Sequence, residues 1–402
     1  MRSRRVGDAR RTLARLQRAD VLSDISQTLH ARPPSRRASG AKASLLTGFD
    51  SRASKRALRF ASTPAQPDNP QAAMFKESPT GGTNRFAVYA FGVTALTLAV
   101  ILWGAYVRAS RSGDGCGAHW PLCNGTVALP RAGATKTLVE FAHRATSGLD
   151  GLLVVLLVAW AFRRYPRGHA VRAGATLTAV FFVTESLIGA GLVLLGLVAE
   201  NASLARSLYL SVHLVNTFAL LASLALTAWW AWAGGAAGAR PREFLRGRVG
   251  LALAGALALG VSGAVAALGA TLFPESAPAE AAARDLTPQA QLLFGLRHYK
   301  LHPLLALLVG GYLIYFALSL LRARRDAWVR RFAASVFFLV LAQLGVGLLN
   351  AALLAPVWLQ IVHLLLADLI WLALVLLSAS SLAQTETPSE DFERVRLRAV
   401  EI

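Results

Sequence analysis

Eight apolar runs of about 20 residues, each long enough to cross a bilayer as a helix, constrain this chain more than any other feature. They are Phe86–Val107, Leu138–Phe162, Ala173–Ala199, Leu208–Ala233, Val249–Phe273, Leu301–Leu321, Phe332–Ala355 and Val357–Leu382. Backbone groups in hydrocarbon must pair within the protein, so spanning segments are helices or strands of a closed barrel. These runs have an Ala/Leu/Val/Gly texture and lack the alternation of barrel strands. With 54% hydrophobic and 16% charged residues, the chain is too apolar for an ordinary soluble domain. The expected fold class is an all-α integral membrane protein with eight transmembrane helices.

The formal net charge is +20, and its placement argues for a membrane rather than nucleic acid. Residues 1–73 hold 15 Lys/Arg against 5 Asp. Much of the remainder lies in alternate connections. Arg163, Arg164, Arg167 and Arg172 follow the second run, and Arg240, Arg242, Arg246 and Arg248 follow the fourth. Arg322, Arg324, Arg325, Arg330 and Arg331 surround the turn between the sixth and seventh. Arg206 is the sole basic residue after the third, and none follows the seventh. This positive-inside pattern puts both termini in the cytoplasm. The Cys116 connection and the starts of runs two, four, six and eight then face outward. A plasma membrane is expected ahead of a mitochondrial inner membrane.

The segment before the first run is rich in Arg, Ser, Ala and Pro. It reads as a disordered tail or as sequence ahead of a start at Met74, in preference to a transit peptide. No function is expected there, nor in the mixed-charge tail 384–402.

The chain also reads as two four-helix halves. Glu185 in the third run and Gln343 in the seventh each stand one helical turn before a glycine, Gly189 and Gly347. Val212-His213-Leu214 recurs as Val362-His363-Leu364. Four helices per half give both copies one membrane orientation, a parallel internal repeat. The small residues in runs three and seven are expected to let helices pack closely. The domains expected are a basic extension (1–83), a first half (84–236), a second half (237–383) and the tail.

His143, His213, His302 and His363 each lie near the start of an even-numbered run. An ionisable side chain inside a membrane span is costly and usually functional. Four at matched depth suggest two pairs of axial ligands to heme iron, built inside a helical bundle. His143 pairs with His213, and His302 with His363. The alternative for any one of them is a hydrogen-bonded core residue. His298 competes with His302, since residues four apart share a helix face, but His302 begins the apolar run. His30, His119 and His169 fall in tails or loops and are expected to be solvated.

Glu140 lies three residues before His143 and shares its helix face. There it handles protons or stabilises a developing cation, or else sits as an interfacial carboxylate near a helix start. Arg144 has a heme propionate, Asp150 or the interface as its expected partner. Asn216 and Asp368 are polar in mid-span, with no role assigned. Cys116 and Cys123 are the only cysteines. A structural disulfide, a redox-active pair and a metal site with His119 all remain open for them.

These motifs together resemble the heme A synthase family. The match lies in Ser112-Gly-Asp-Gly-Cys116-Gly-Ala-His-Trp120-Pro-Leu-Cys123-Asn-Gly125, Glu140-Phe-Ala-His143-Arg144, Val212-His213-Leu214, His302-Pro-Leu-Leu-Ala306 and Val362-His363-Leu364-Leu-Leu-Ala-Asp368. It covers roughly residues 84–383. The resemblance implies two pseudo-symmetric four-helix bundles. It also implies oxidation of a methyl group of heme O to the formyl group of heme A by successive hydroxylations. His143 and His213 then address substrate heme, His302 and His363 ligate a b-type cofactor heme, Glu140 assists catalysis, and Cys116 and Cys123 form a disulfide. The implied partners are a heme O synthase (farnesyltransferase), an external electron donor and a terminal oxidase; a homo-oligomer stays open. One departure is His302-Pro303, where the family has His-Arg. The rival expectations are a bis-His cytochrome b that only transfers electrons, and a heme transporter. Glu140 beside one histidine pair favours the enzyme.

Overall fold

The computed structural model describes residues 84–126, 135–234, 243–273, 287–298 and 301–382. The expected extension 1–83 and tail 384–402 lie outside them. Nine helices run through the described residues: α1 (Arg85–Ala109), α2 (Thr135–Arg164), α3 (Ala170–Leu194), α4 (Leu204–Ala233), α5 (Glu243–Leu272), α6 (Pro288–His298), α7 (Leu301–Ala323), α8 (Ala327–Ala352) and α9 (Val357–Leu382). All but α6 are long and apolar enough to cross a membrane, so the chain is a multi-pass membrane protein. Among the described residues the only β-pairing is an isolated bridge between Cys123 and Thr126.

Local chemistry sets the helix ends. Asp326 caps α8 by accepting from the Trp328 and Val329 N–H groups, both at 2.9 Å, and Ser203 caps α4 by accepting from Arg206 N at 3.3 Å. The third run was expected to reach Ala199, yet α3 stops at Leu194. Gly196 there takes a left-handed φ of 63°, and the Leu197 and Gly196 N–H groups turn back to the Leu192 and Val193 carbonyls. This double closure satisfies carbonyls that a helix end leaves free. The same closure ends α8 at Ala352 rather than Ala355, with Leu354 at φ 60°. The helix α6 was not anticipated. Its start carries a legible signal all the same: Thr287 accepts from Ala290 N at 3.3 Å, with Pro288 as the first helical residue.

The helices contact one another in two cycles. α1 packs on α2, α2 on α3, α3 on α4, and α4 back on α1. Likewise α5 packs on α7, α7 on α8, α8 on α9, and α9 back on α5. α4 also meets α5 and α9, and α9 meets α1. Lipid tails are as apolar as leucine, so close van der Waals packing and interhelical hydrogen bonds hold such helices together. Gly174 is a case in point: a Cβ there would collide with Thr227 and crowd Trp230. Gly189, expected to serve close packing, faces open space instead. Between α4 and α9, the Phe218 and Trp371 rings stack at 4.9 Å, and Trp371 Nε1 donates to the Phe218 carbonyl at 2.7 Å.

His169 was expected to be solvated. It is half-buried and caps α3: its Nδ1 accepts from Val171 N at 3.2 Å. Burial lowers its pKa from the ordinary value. A folded pKa below the unfolded one means the unfolded chain binds more protons, so stability rises with pH. The cap's contribution is complete above about pH 6.5, the unperturbed histidine value, and is lost as pH falls towards the folded value. Thermal unfolding of wild type and His169→Ala tests this. The wild type should be more stable at pH 7.5 by about 0.5–1 kcal/mol, as for other N-caps, and the gap should narrow at pH 5.5.

Candidate functional site

The first histidine pair stands on diagonal helices of one cycle, His143 on α2 and His213 on α4. His143 lies within electrostatic reach of His213 and of Glu185 on α3. A glycine of α1 backs its ring: a Cβ at Gly104 would come within 2.8 Å of His143 Cε1. His213 Nδ1 lies 3.4 Å from Glu185 Oε2. That is ion-pair distance, but the atoms are not aligned for a hydrogen bond, and Nδ1 is buried without one. Asn216 Nδ2 donates to Glu185 Oε2 at 2.7 Å, and the Thr217 hydroxyl donates to Glu185 Oε1. Thr184 completes the cluster by donating to Asn216 Oδ1 at 2.6 Å.

The loop from Ser112 to Thr126 sits against the start of α2. Cys116 and Cys123 form a disulfide with Cα atoms 4.5 Å apart, which excludes the metal-site alternative. Both cysteines are buried. Glu140 is 3% exposed and joins loop to helix. Its Oε2 accepts from Cys116 N at 2.9 Å, and its Oε1 accepts from Arg144 at 2.5 Å. Arg144 also donates to the carbonyls of His119 and Leu122 at 2.6 and 2.7 Å. Its partner is therefore Glu140 and the loop backbone. Asp150 instead accepts from the Thr97 hydroxyl at 2.9 and 3.1 Å.

The second pair, His302 on α7 and His363 on α9, also stands on diagonal helices. Their ring centres are 6.3 Å apart and the planes are nearly perpendicular, at 84°. The Ser262 hydroxyl and His302 Nδ1 are hydrogen-bonded at 2.9 Å, which leaves Nε2 for another ligand. Gln343 Nε2 lies 3.3 Å from His363 Nε2. Glycines back both rings: a Cβ at Gly263 or Gly347 would stand 3.1 Å from Cε1 of His302 or His363. His298 closes α6, and its side chain lies outside the described residues.

These residues fit heme iron. Buried polar atoms nearly always find a hydrogen-bond partner, yet Nδ1 of His143, His213 and His363 has none. Metal–imidazole bonds are about 2 Å long, so two ligands on opposite sides of one ion place their ring centres roughly 6 Å apart. The 6.3 Å separation of His302 and His363 meets that requirement. No cluster of three or more His, Cys, Asp or Glu side chains able to hold a bare metal ion occurs among the described residues.

Sequence reading assigned no chemistry to Glu185, Asn216, Thr217 or Ser262. The signal was present for two of them: a carboxylate and an amide in mid-span are expensive and imply partners. Asp368 is fully buried, and neither of its oxygens has a partner.

Comparison with known proteins bears on the same stretch. A family model, COX15-CtaA, described as cytochrome oxidase assembly protein, matches residues 87–375. The chain is 52% identical over 307 residues to a protoheme IX farnesyltransferase of Thermus thermophilus, a match covering 75% of this chain and 49% of that protein. It is 39% identical over 126 residues to a heme A synthase of Halalkalibacterium halodurans, covering 31% of this chain and 41% of that one. Against the heme A synthase of Symbiobacterium thermophilum it is 41% identical over 134 residues, covering 33% and 42%. The matches thus span about half the length of these curated relatives, or less.

Arg144→Ala deletes two hydrogen bonds that clamp the disulfide loop to α2 and a third, within α2, that holds Glu140. Hydrogen bonds to charged groups contribute about 1.5–3 kcal/mol, less where water reaches them as at the two loop carbonyls, so the loop should open about tenfold more often. The measurement is the rate of Cys116–Cys123 reduction by a water-soluble thiol in the purified protein. An unchanged rate would show that Arg144 does not hold the loop.

Proposed function

The chain belongs to the COX15-CtaA family of cytochrome oxidase assembly proteins, and on that premise we propose that it is a heme A synthase. It oxidises one methyl group of heme O to the formyl group of heme A. Two successive hydroxylations of one carbon, each consuming one dioxygen with two donor electrons and two protons and releasing one water, give a geminal diol, and loss of water leaves the aldehyde. Relatives named heme A synthase support this reading over an electron-transfer cytochrome or a transporter.

The observation that carries the reading is the inequality of the two histidine pairs. His143 lies one helical turn from a fixed carboxylate, Glu140, under a disulfide-closed loop, and His213 stands 3.4 Å from a second carboxylate, Glu185. His302 and His363 have only an alcohol and an amide beside them. The first pair holds the substrate heme by its iron, and the loop shields the reacting carbon from water. Glu140, kept in place by Arg144 and Cys116 N–H, faces positive charge that develops at that carbon. The second pair ligates a b-type heme, which supplies electron transfer.

The halves 84–236 and 237–383 are a parallel duplication. The two cycles of helix contacts support it, as does the register. Gly104 and His143 are spaced like Gly263 and His302, and each glycine backs its histidine. The Arg-rich turns face the cytoplasm of a cell membrane, with the disulfide loop and all four histidines towards the outer side. A heme O synthase delivers the substrate. The Thermus relative supports this pairing, since one chain there carries both a segment like this one and the name protoheme IX farnesyltransferase. An external donor supplies electrons, and a terminal oxidase receives the product.

Pigment extraction from cells making this protein with a heme O synthase tests the activity. Heme A or its hydroxylated precursor should accumulate; unmodified heme alone would sink the proposal. Glu140→Gln can keep the bond from Arg144 through its amide oxygen, but it gives up the bond from Cys116 N–H and removes the charge. It should retain bound heme and lose about 100-fold or more in turnover, the usual scale for a positioned carboxylate. His363→Ala should lose the low-spin b-type signal in the reduced-minus-oxidised spectrum.

A further inference from the structure

We propose that Glu185 is the positioning residue of His213, and that its carboxylate makes the first iron site electronically unlike the second. The inference rests on the reading of His213 as an iron ligand. A histidine bound to a metal characteristically donates its other ring N–H to a carboxylate, carbonyl or water. That contact fixes the ring and raises its basicity as a ligand. Glu185 Oε2 stands 3.4 Å from His213 Nδ1. A small rotation of the ring aligns the N–H, and such bonds often tighten only when the site is loaded. Nε2 then faces the iron.

The carboxylate is held for this task. His213, Asn216 and Thr217 lie on one face of α4, at spacings of three and four. Asn216 and Thr217 donate to separate oxygens of Glu185, and Thr184 fixes Asn216 from α3. Four polar side chains at the depth of a membrane span, linked in one chain of three hydrogen bonds, are expensive and mark function.

The corresponding residues of the second half show what is specific here. In the register that aligns His213 with His363, Asn216 becomes Leu366 and Thr217 becomes Ala367. On the neighbouring helix, Thr184 becomes Ala342 and Glu185 becomes Gln343. The whole cluster is replaced by apolar residues and one neutral amide, whose Oε1 is buried without a partner. A negative partner strengthens the imidazole as a donor and favours oxidised iron. The first site should therefore have the lower reduction potential.

The full chain in detergent, loaded with iron protoporphyrin IX and titrated spectroelectrochemically, tests this. His213→Ala and His363→Ala assign the two heme components. Glu185→Gln should raise the midpoint of the His213 component. It should also weaken heme binding there about 10- to 100-fold, the usual cost of losing such a partner, and leave the His363 component unmoved. The reverse transplant, Gln343→Glu with Leu366→Asn and Ala367→Thr, should lower the midpoint of the His363 component. If Glu185→Gln changes neither midpoint nor affinity while His213→Ala still deletes its component, the role of Glu185 fails and the ligand reading stands. If His213→Ala leaves both components in place, the ligand reading fails and takes this inference with it. Should Glu185→Gln not fold, the transplant decides alone: no shift in the His363 midpoint would overturn the proposal.

Discussion

Hydrocarbon cannot hydrogen-bond, and that constraint governs this molecule. Each polar atom inside a span must find a partner in the protein or remain at a cost of several kcal/mol. Most in this chain find one locally. Thr94, Thr178, Thr227 and Ser378 return their hydroxyls to carbonyls one turn earlier. Others tie helices together: Thr178 to Ser223, Thr97 to Asp150, Trp371 to the Phe218 carbonyl. Against that background the unpartnered imidazole nitrogens of His143, His213 and His363 stand apart. A bound ligand is the economical explanation for those of His143 and His363, while that of His213 has the Glu185 carboxylate 3.4 Å away. Asp368, Ser207, Gln343 and Asn350 also keep bare oxygens, for which nothing in the structure accounts.

Glycine makes the room. Each paired histidine must project from its own helix into a narrow interior, and a neighbouring helix lies across the way. At His143, His302 and His363 the facing residue is a glycine, so the imidazole can lie directly on backbone. An alanine there would force the ring aside by a few tenths of an ångström or more. Among the described glycines none stands against His213. Its neighbour on α3 is Glu185, so at this one position polar contact replaces close packing.

The spans, the four histidines and the cysteine pair were legible in sequence because each is a pattern in residue type and spacing. Hydropathy located every spanning helix within a few residues. The errors sat at ends, where α3 and α8 stop several residues early, because left-handed closures at Gly196 and Leu354 depend on backbone geometry that hydropathy does not register. Partners were less legible than residues. Arg144 admitted three partners on paper and took a fourth, Glu140, because one helical turn brings the two side chains together and burial makes an unpaired guanidinium costly. The Glu185 cluster escaped notice since its members come from two helices whose register only the fold supplies.

A carboxylate in a span also cannot be gained alone. Glu185 without Asn216 and Thr217 would be a charge in hydrocarbon with no donors, and breaking a buried pair in this way costs about 3–5 kcal/mol. Asn216 and Thr217 without Glu185 would fall back on the backbone carbonyls of Phe181 and His213. The carboxylate is therefore expected only where its donors are. The second half is consistent with this, since Ala342, Gln343, Leu366 and Ala367 differ from their counterparts at every position. The iron-facing histidines can stay fixed while the cluster behind one of them changes as a block. Two halves built on the same histidine register can thus hold sites of unlike charge.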